Sequence, residues 1–150
     1  MKIVIDADEV AVDLKKTIIE HLEKKGIEVV DLEHISKHPG AHYPDVGYNL
    51  ALKIQSGEFE RGILMCGTGQ GVAMIANKVE GVYAGACNDV YSAERIRKSN
   101  NAQILTLGSR VTGPESAKTI VDAWLESEFQ GGGSQEKVEQ MRRLENKSFS

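Results

Sequence analysis

Cys66 and the five residues after it, Gly67-Thr68-Gly69-Gln70-Gly71, bring a thiol, a hydroxyl and a run of backbone amides into one short stretch. Three glycines allow a tight turn that turns several N–H groups toward one spot. The helical segment that resumes at Val72 adds partial positive charge where those donors converge. Such a cradle stabilises an anion, or an oxyanion that develops during a reaction. A thiol beside it is expected to have its pKa lowered toward the reactive range, which makes Cys66 a candidate acid/base or nucleophile. An equal alternative is a small buried residue that closes a strand. Glycine turns also build nucleotide sites, but CGTGQG lacks the lysine of a P-loop and the span of the dinucleotide fingerprint.

Other chemically capable residues fall at comparable places. Asp6-Ala7-Asp8-Glu9 puts three carboxylates at the end of the apolar run Lys2–Ile5. Asp8 and Glu9 serve either a site or the next helix, as its cap and acidic first turn. Asn88-Asp89 follows a second apolar run, and Arg110 follows a third. An arginine there can take a phosphate or carboxylate through two parallel hydrogen bonds, or form a surface salt bridge. His34, His38 and His42 recur every fourth residue, yet Pro39-Gly40 breaks any helix that would align them on a metal. They read as a loop bordering the site, in which His38 or His42 supplies a donor. Tyr43, just outside the next helix, lines a pocket or packs as a staple.

The elements that must position these residues alternate along the chain. Strands are expected at Lys2–Ile5, Ile27–Leu32, Gly62–Met65, Val82–Cys87 and Gln103–Leu107. Between them, Leu14, Ile18 and Leu22 share one helix face, as do Val46, Leu50 and Ile54 behind Pro44. Tyr91–Lys98 forms a further helix with Asp89 as its cap, and Pro114 opens one carrying Ala117, Ile120, Val121, Trp124 and Leu125. The pattern predicts an α/β fold: a Rossmann-like three-layer α/β/α sandwich around a five-stranded parallel sheet. Its site belongs above the strand ends, near Asp8, Cys66, Asn88 and Arg110. Residues 1–150 read as one domain, with 130–150 a tail. Gln130–Ser134 reads as a flexible joint, and Gln135–Leu144 as a charged helix with the narrow stripe Val138, Met141, Leu144, suited to docking on another subunit; residues after Glu145 are expected to fray.

A net charge of -4 and a pI near 5.6 give no broad attraction to nucleic acid or to an anionic membrane. Two cysteines make no disulfide framework, and no apolar run is long enough to span a bilayer. A reduced, cytoplasmic setting is expected.

Met65-Cys66-Gly67-Thr68-Gly69, Ala76-Asn77-Lys78-Val79, Tyr91-Ser92-Ala93 and Leu107-Gly108-Ser109-Arg110-Val111 together resemble the motifs of the type B ribose-5-phosphate and galactose-6-phosphate isomerase family, in its order from Lys2 to about Leu144. The resemblance implies aldose–ketose isomerisation through an enediolate, with no metal or organic cofactor, in a homodimer or homotetramer whose active sites are shared between subunits. It assigns Cys66 as the base, Gly67, Gly69, Gln70 and Gly71 to the oxyanion hole, and Thr68 to proton movement or ring opening. Asp8, Tyr43 and Asn100 match sugar-contacting positions, Asn100 from the partner subunit, and Arg110 matches a phosphate ligand. Asn88, at its strand end, joins the substrate-binding set, as do Glu9 and Ser99 by position.

Two departures bear on the substrate. Glu9 and Ser99 stand where ribose-5-phosphate isomerases of this type carry histidines, the second of which helps open the furanose ring. The family's arginine-bearing tail is replaced by Gly131-Gly132-Gly133-Ser134-Gln135-Glu136-Lys137, so Lys137 alone keeps a cation there. Tyr91–Arg95 and Ser99–Gln103 are similar to the branch that interconverts erythrulose 4-phosphate and erythrose 4-phosphate. A tetrose phosphorylated on O4 has no free hydroxyl that closes a furanose, so it needs no ring-opening acid. The expected substrate is therefore a four-carbon sugar phosphate; ribose 5-phosphate or another pentose or hexose phosphate is the alternative, and an unphosphorylated sugar a third. Adjacent carboxylates at Asp8 and Glu9 would repel a phosphate, which should lie toward Arg110 and Lys137. The rival of another class is a non-catalytic sugar-phosphate-binding partner subunit, against which the retained Cys66 argues.

Overall fold

Short runs rich in Ile, Val and Leu, each followed by an amphipathic helix, build a sheet buried on both faces. In the computed structural model, which describes residues 1–149, the strands are β1 (Lys2–Ala7), β2 (Glu28–Asp31), β3 (Arg61–Cys66), β4 (Ala84–Ala86) and β5 (Ile104–Gly108). The helices are α1 (Val12–Lys24), α2 (His34–Lys37), α3 (Tyr43–Gln55), α4 (Gln70–Ala76), α5 (Val90–Lys98), α6 (Pro114–Leu125) and α7 (Gly133–Phe149), with a 3-10 turn at Glu9–Ala11. Every strand pairing is parallel, in the order β2-β1-β3-β5-β4.

Strand alternation sorts the core into two layers. Ile3, Ile5, Ala7, Ile63, Met65, Leu105 and Leu107 meet Leu14, Ile18 and Leu22 of α1 and Ala117, Ile120, Val121 and Trp124 of α6. Val4, Leu64, Cys66 and Ile104 meet Val46, Leu50 and Ile54 of α3 and Val72 and Ala76 of α4 on the opposite face. The Rossmann-like α/β/α sandwich expected from the chain is therefore present. Buried Arg61 closes the end of α6, donating to the carbonyls of Trp124, Leu125 and Ser127 at 3.2, 3.0 and 2.9 Å.

Several boundaries differ from those read in the sequence. The histidine-bearing segment is not all loop: its first residues form α2, because the carboxylates of Asp31 and Asp6 accept the amides of Glu33 and His34 at 3.0 and 3.2 Å. The fourth strand shortens to Ala84–Ala86. Its open edge is blocked by Asn77, whose side-chain amide exchanges two 2.8 Å hydrogen bonds with the N–H and C=O of Ala84. Gln103 binds the approach to that strand in the same way, through Tyr83 N–H and Gly81 C=O at 2.9 Å each.

The tail differs most. The joint narrows to Gly131 and Gly132, both at positive φ, and α7 then runs unbroken past Glu145. Its continuation has a local cause. Glu145 accepts from Gly81 N–H at 3.2 Å and Tyr83 O–H at 3.3 Å, and the Arg142 guanidinium lies 5.4 Å from the Tyr83 ring. The helix therefore contacts its own chain beside β4, while Met141 and Leu144 remain exposed.

Candidate active site

Register carries Asp8 and Cys66 to the same place. Asp6 pairs with Leu64 and Ala7 with Met65, so the next step brings Asp8 level with Cys66, and Asp8 N–H donates to Met65 C=O at 3.1 Å. Cys66 pairs in turn with Gly108 on its other side. The chain leaves β1 toward β2 and returns to β3 on the opposite side, so this row lies at the point where strand order reverses. Open α/β sheets form their crevices there. The crevice is a cleft of about 350 Å³ lined by Asp8, Val10, Tyr43, Cys66, Gly67, Thr68, Gly71 and Arg110.

The glycine turn is seated against its neighbours. Gly69 has a φ of 81°, and a Cβ there would come within 2.9 Å of the Leu107 carbonyl carbon. Its carbonyl accepts from Thr106 Oγ1 at 2.6 Å, and its N–H donates to Cys66 Sγ at 3.2 Å. Gln70 N–H donates to Thr68 Oγ1 at 3.2 Å. Of the four residues expected to form the oxyanion hole, Gly69 and Gln70 thus already have partners for their amides, the first on the thiol itself. Gly67 and Gly71 line the cleft. The place a Gly71 Cβ would take is filled by the Tyr43 ring, 2.4 Å away, so glycine there is the condition for Tyr43 to close that wall. Tyr43 is the first residue of α3 rather than lying outside it.

The opposite wall comes from the loop after β5. Ser109 and Arg110 donate their amides to the Cys66 and Gly67 carbonyls at 2.9 and 3.0 Å, and Ser109 Oγ donates to Val10 C=O at 2.9 Å. The Arg110 side chain lies over Gly67, with its Cδ 3.5 Å from where a Cβ would stand. Asp8 is nearly buried and caps the 3-10 turn, accepting from Val10 N–H at 3.2 Å. Burial, helped by the charge of Glu9, pushes its carboxyl above the usual range, against the Val10 amide and the Arg110 charge. A thiol holding an amide, a carboxyl of raised pKa, two hydroxyls and a guanidinium therefore share one crevice. That set can move a proton between adjacent atoms of a polyhydroxy ligand and hold an anionic group at its end.

The other residues singled out in the sequence are not brought into this cleft within one chain. Glu9 is exposed beside it. Asn88 lies beyond β5 because β4 is the edge strand; it lines a separate hollow with Asp89, Val90, Ser116, Thr119 and Ile120. Ser99 Oγ, at the end of α5, accepts from Arg95 Nε and Nη2 at 2.9 and 2.5 Å, and Asn100 beside it is exposed. Lys137 stands on α7 near Arg143, with Glu136 and Glu139. Neither His38 nor His42 is among the lining residues; the rings of His34 and His38 lie 4.4 Å apart instead. Val10 is the lining residue that sequence reasoning passed over, since an exposed valine after an acidic turn carries no chemical signal. Among the described residues, no group of three or more His, Cys, Asp or Glu side chains is placed to hold a metal ion, and no helix is long and apolar enough to cross a membrane.

Comparison with known proteins bears on this geometry. Residues 3–141 match the family model described as Ribose/Galactose Isomerase. The chain is 52% identical over 141 residues to the D-erythrulose-4-phosphate isomerase of Pectobacterium atrosepticum, covering 94% of this chain and 93% of that one. It superposes on the ribose-5-phosphate isomerase B of Clostridium thermocellum with a TM-score of 0.93 at 43% identity, covering 99% of each chain. On the ribose-5-phosphate isomerase B of Mycoplasma genitalium with bound ribulose 5-phosphate, the TM-score is 0.89 at 38% identity, covering 97% of this chain and 96% of that one. With its thiol, glycine turn and arginine gathered at one switch point, the chain belongs to the ribose/galactose isomerase family and is a sugar-phosphate aldose–ketose isomerase.

Proposed function

We propose that the substrate is a four-carbon sugar phosphate and that the reaction interconverts D-erythrulose 4-phosphate and D-erythrose 4-phosphate. The observation that carries this reading is at position 99, where a serine is occupied as the acceptor of Arg95 and no imidazole is present to open a ring. A tetrose 4-phosphate cannot close a furanose, so it does not need one. The 52% identity to a relative named D-erythrulose-4-phosphate isomerase supports the same choice.

In this reading Cys66 is the base. Its thiolate, held by the Gly69 N–H, takes the proton from C1 of the ketose, and the C2 oxygen becomes the enediolate oxygen. The cysteine returns that proton to C2, while a proton passes from O1 to O2 with the help of the Thr68 hydroxyl, and the aldose results. Atoms balance without any redox partner, because one carbon is oxidised as its neighbour is reduced. The amides of Gly67 and Gly71 face the developing oxyanion, Asp8 and Tyr43 hold sugar hydroxyls, and Arg110 takes the phosphate. Asn100 and Lys137, which one chain does not bring to its own cleft, complete the site from a second copy, and the exposed Met141 and Leu144 of α7 dock on that copy, while Val138 of the same stripe is buried in its own chain. The phosphate then lies away from Glu9.

Ribose 5-phosphate is the second reading, favoured by the likeness to two ribose-5-phosphate isomerase structures, one with bound ribulose 5-phosphate. The test is NMR in deuterated water of purified protein with erythrulose 4-phosphate and, separately, ribose 5-phosphate. Faster deuterium exchange and conversion of the tetrulose phosphate is expected. Conversion of ribose 5-phosphate alone would replace the first reading with the second. Inactivity on both would point to the non-catalytic partner subunit.

A further inference from the structure

The segment from β2 to α3 reaches the cleft at Tyr43, and its other end is gripped by a buried charge cluster. Asp6 is wholly buried on β1, two residues before Asp8. Its Oδ1 accepts from Ala7 N–H at 2.9 Å and Lys15 Nζ at 3.4 Å, and its Oδ2 accepts from His34 N–H at 3.2 Å. Lys15, itself only 8% exposed on α1, also donates to Asp31 Oδ1 at 2.9 Å, and that oxygen accepts Glu33 N–H at 3.0 Å. One ammonium thus joins α1 to the ends of β1 and β2, and the two carboxylates it holds take consecutive amides at the start of α2. Glu33 adopts a φ of 49°, a left-handed conformation that a residue with a side chain keeps only where its surroundings impose it.

Stability alone is a poor explanation for this cluster. Burial pushes the Asp6 carboxyl above its usual range, and well-packed apolar side chains would hold the layers together at least as well. What the charges add is a defined geometry for two amides. The span beyond them is short and tied internally: His38 N–H bonds to His34 C=O at 2.8 Å, and Ala41 N–H to His38 C=O at 3.1 Å. His42, at the cap position of α3, makes no side-chain capping bond, so the start of α3, with Tyr43, joins the segment before it without a cap of its own, and the first buried side chain of the helix is Val46.

We propose that Asp6, Lys15 and Asp31 form a latch that sets the path of residues 33–42 and so seats Tyr43 over Gly71 at the wall of the cleft. Asp6 is then a positioning residue for substrate binding, acting through Tyr43 without touching the sugar. The proposal rests on the isomerase reading above, with Tyr43 as a substrate contact.

The test pairs hydrogen–deuterium exchange of the intact protein with steady-state kinetics. Asp6→Asn turns a donor toward one set of the donors that Asp6 now accepts, so either the His34 amide loses its acceptor, or the Ala7 amide and the ammonium lose Asp6 and the ammonium keeps only Asp31. Amides 33–43 are expected to exchange at least about tenfold faster while those of β3 and β5 do not change. KM for the converted sugar phosphate is expected to rise at least about tenfold with kcat held within about threefold, the signature of lost binding common to ground and transition state. Asp31→Asn, at a carboxylate only 27% exposed, should shift both readouts in the same direction. Ile18→Val, a core change on α1 that lowers stability without reaching the segment, should shift neither. Unchanged exchange of residues 33–43 in Asp6→Asn and Asp31→Asn would overturn the latch whatever the wild-type protein converts. Faster exchange with unchanged KM would overturn its role in binding. A wild-type protein inactive on both sugar phosphates would overturn the isomerase reading, and with it the positioning of a substrate contact, while the exchange result still reports the latch.

Discussion

The two cysteines differ by their surroundings alone. Both are buried, but Cys66 ends the central strand and lines the cleft with an amide on its sulfur, whereas for Cys87 burial first and Asp89 second push the thiol up to about 11. Iodoacetamide at pH 8 is expected to modify Cys66, to spare Cys87 in the folded protein, and to be slowed by bound sugar phosphate; peptide mapping that found Cys87 labelled at a comparable rate would contradict this. Cys66→Ala should lose about a thousandfold in kcat, the usual weight of a positioned base, yet keep its ligand-induced rise in Tm. The glycines of the turn separate in the same way. Gly69→Ala should cost at least about 1–2 kcal/mol in urea unfolding, because its φ is left-handed and its Cβ meets β5. Gly67→Ala meets only ordinary contacts and should be close to neutral for stability. Equal losses for the two would show that the turn is not seated on β5 as described.

Among the elements, the exposed edge and the helix starts carry the marginal interactions. Asn77 acts as a one-residue partner for β4, so Asn77→Ala should cost about 1 kcal/mol and raise aggregation on heating, measured by light scattering. Asp89 caps α5, accepting from Ser92 N–H and Oγ at 2.7 and 2.8 Å, and these bonds hold its carboxyl below the usual range. In the unfolded chain it titrates near its ordinary value. Between the two values the folded state binds fewer protons, so this stabilisation is full above the ordinary carboxylate pKa and is lost as pH falls through the lower, folded one. Asp89→Ala should therefore lower Tm at pH 7, and the difference from wild type should shrink steadily below about pH 4. A difference that grew on acidification would reverse the assignment.

For the whole molecule, one chain brings Asp8, Tyr43, Cys66, Thr68 and Arg110 together but leaves Asn100 and Lys137 elsewhere. If sites are completed by a second copy, Cys66→Ala and Asn100→Ala chains, each inactive alone, should regain about a quarter of wild-type activity when unfolded and refolded together, since half the dimers are mixed and each has one intact site. No recovery would mean that each chain builds its site alone. Sedimentation should show wild type as an oligomer that a chain ending at Gln130 weakens, because the exposed Met141 and Leu144 of α7 are then absent.

Much of this was legible in the residues, for identifiable reasons. The alternation of apolar strands with helical stripes determined the three-layer parallel fold, because side-chain periods of 2 and 3.6 leave few other ways to bury those faces. The Cys66 turn and Arg110 were readable as chemistry because each follows an apolar run. Strand order was not readable, and it decided that Asp8 meets Cys66 while Asn88 is set aside by β5. Contacts between distant residues decided the rest. The Asp6 and Asp31 carboxylates folded part of a histidine loop into α2, Glu145 carried α7 past its expected end, and the Tyr43 ring made Gly71 a requirement. Local pattern carries information about what each segment can bury; which side chains meet depends on how the segments are laid beside one another, and that is settled only when the sheet closes.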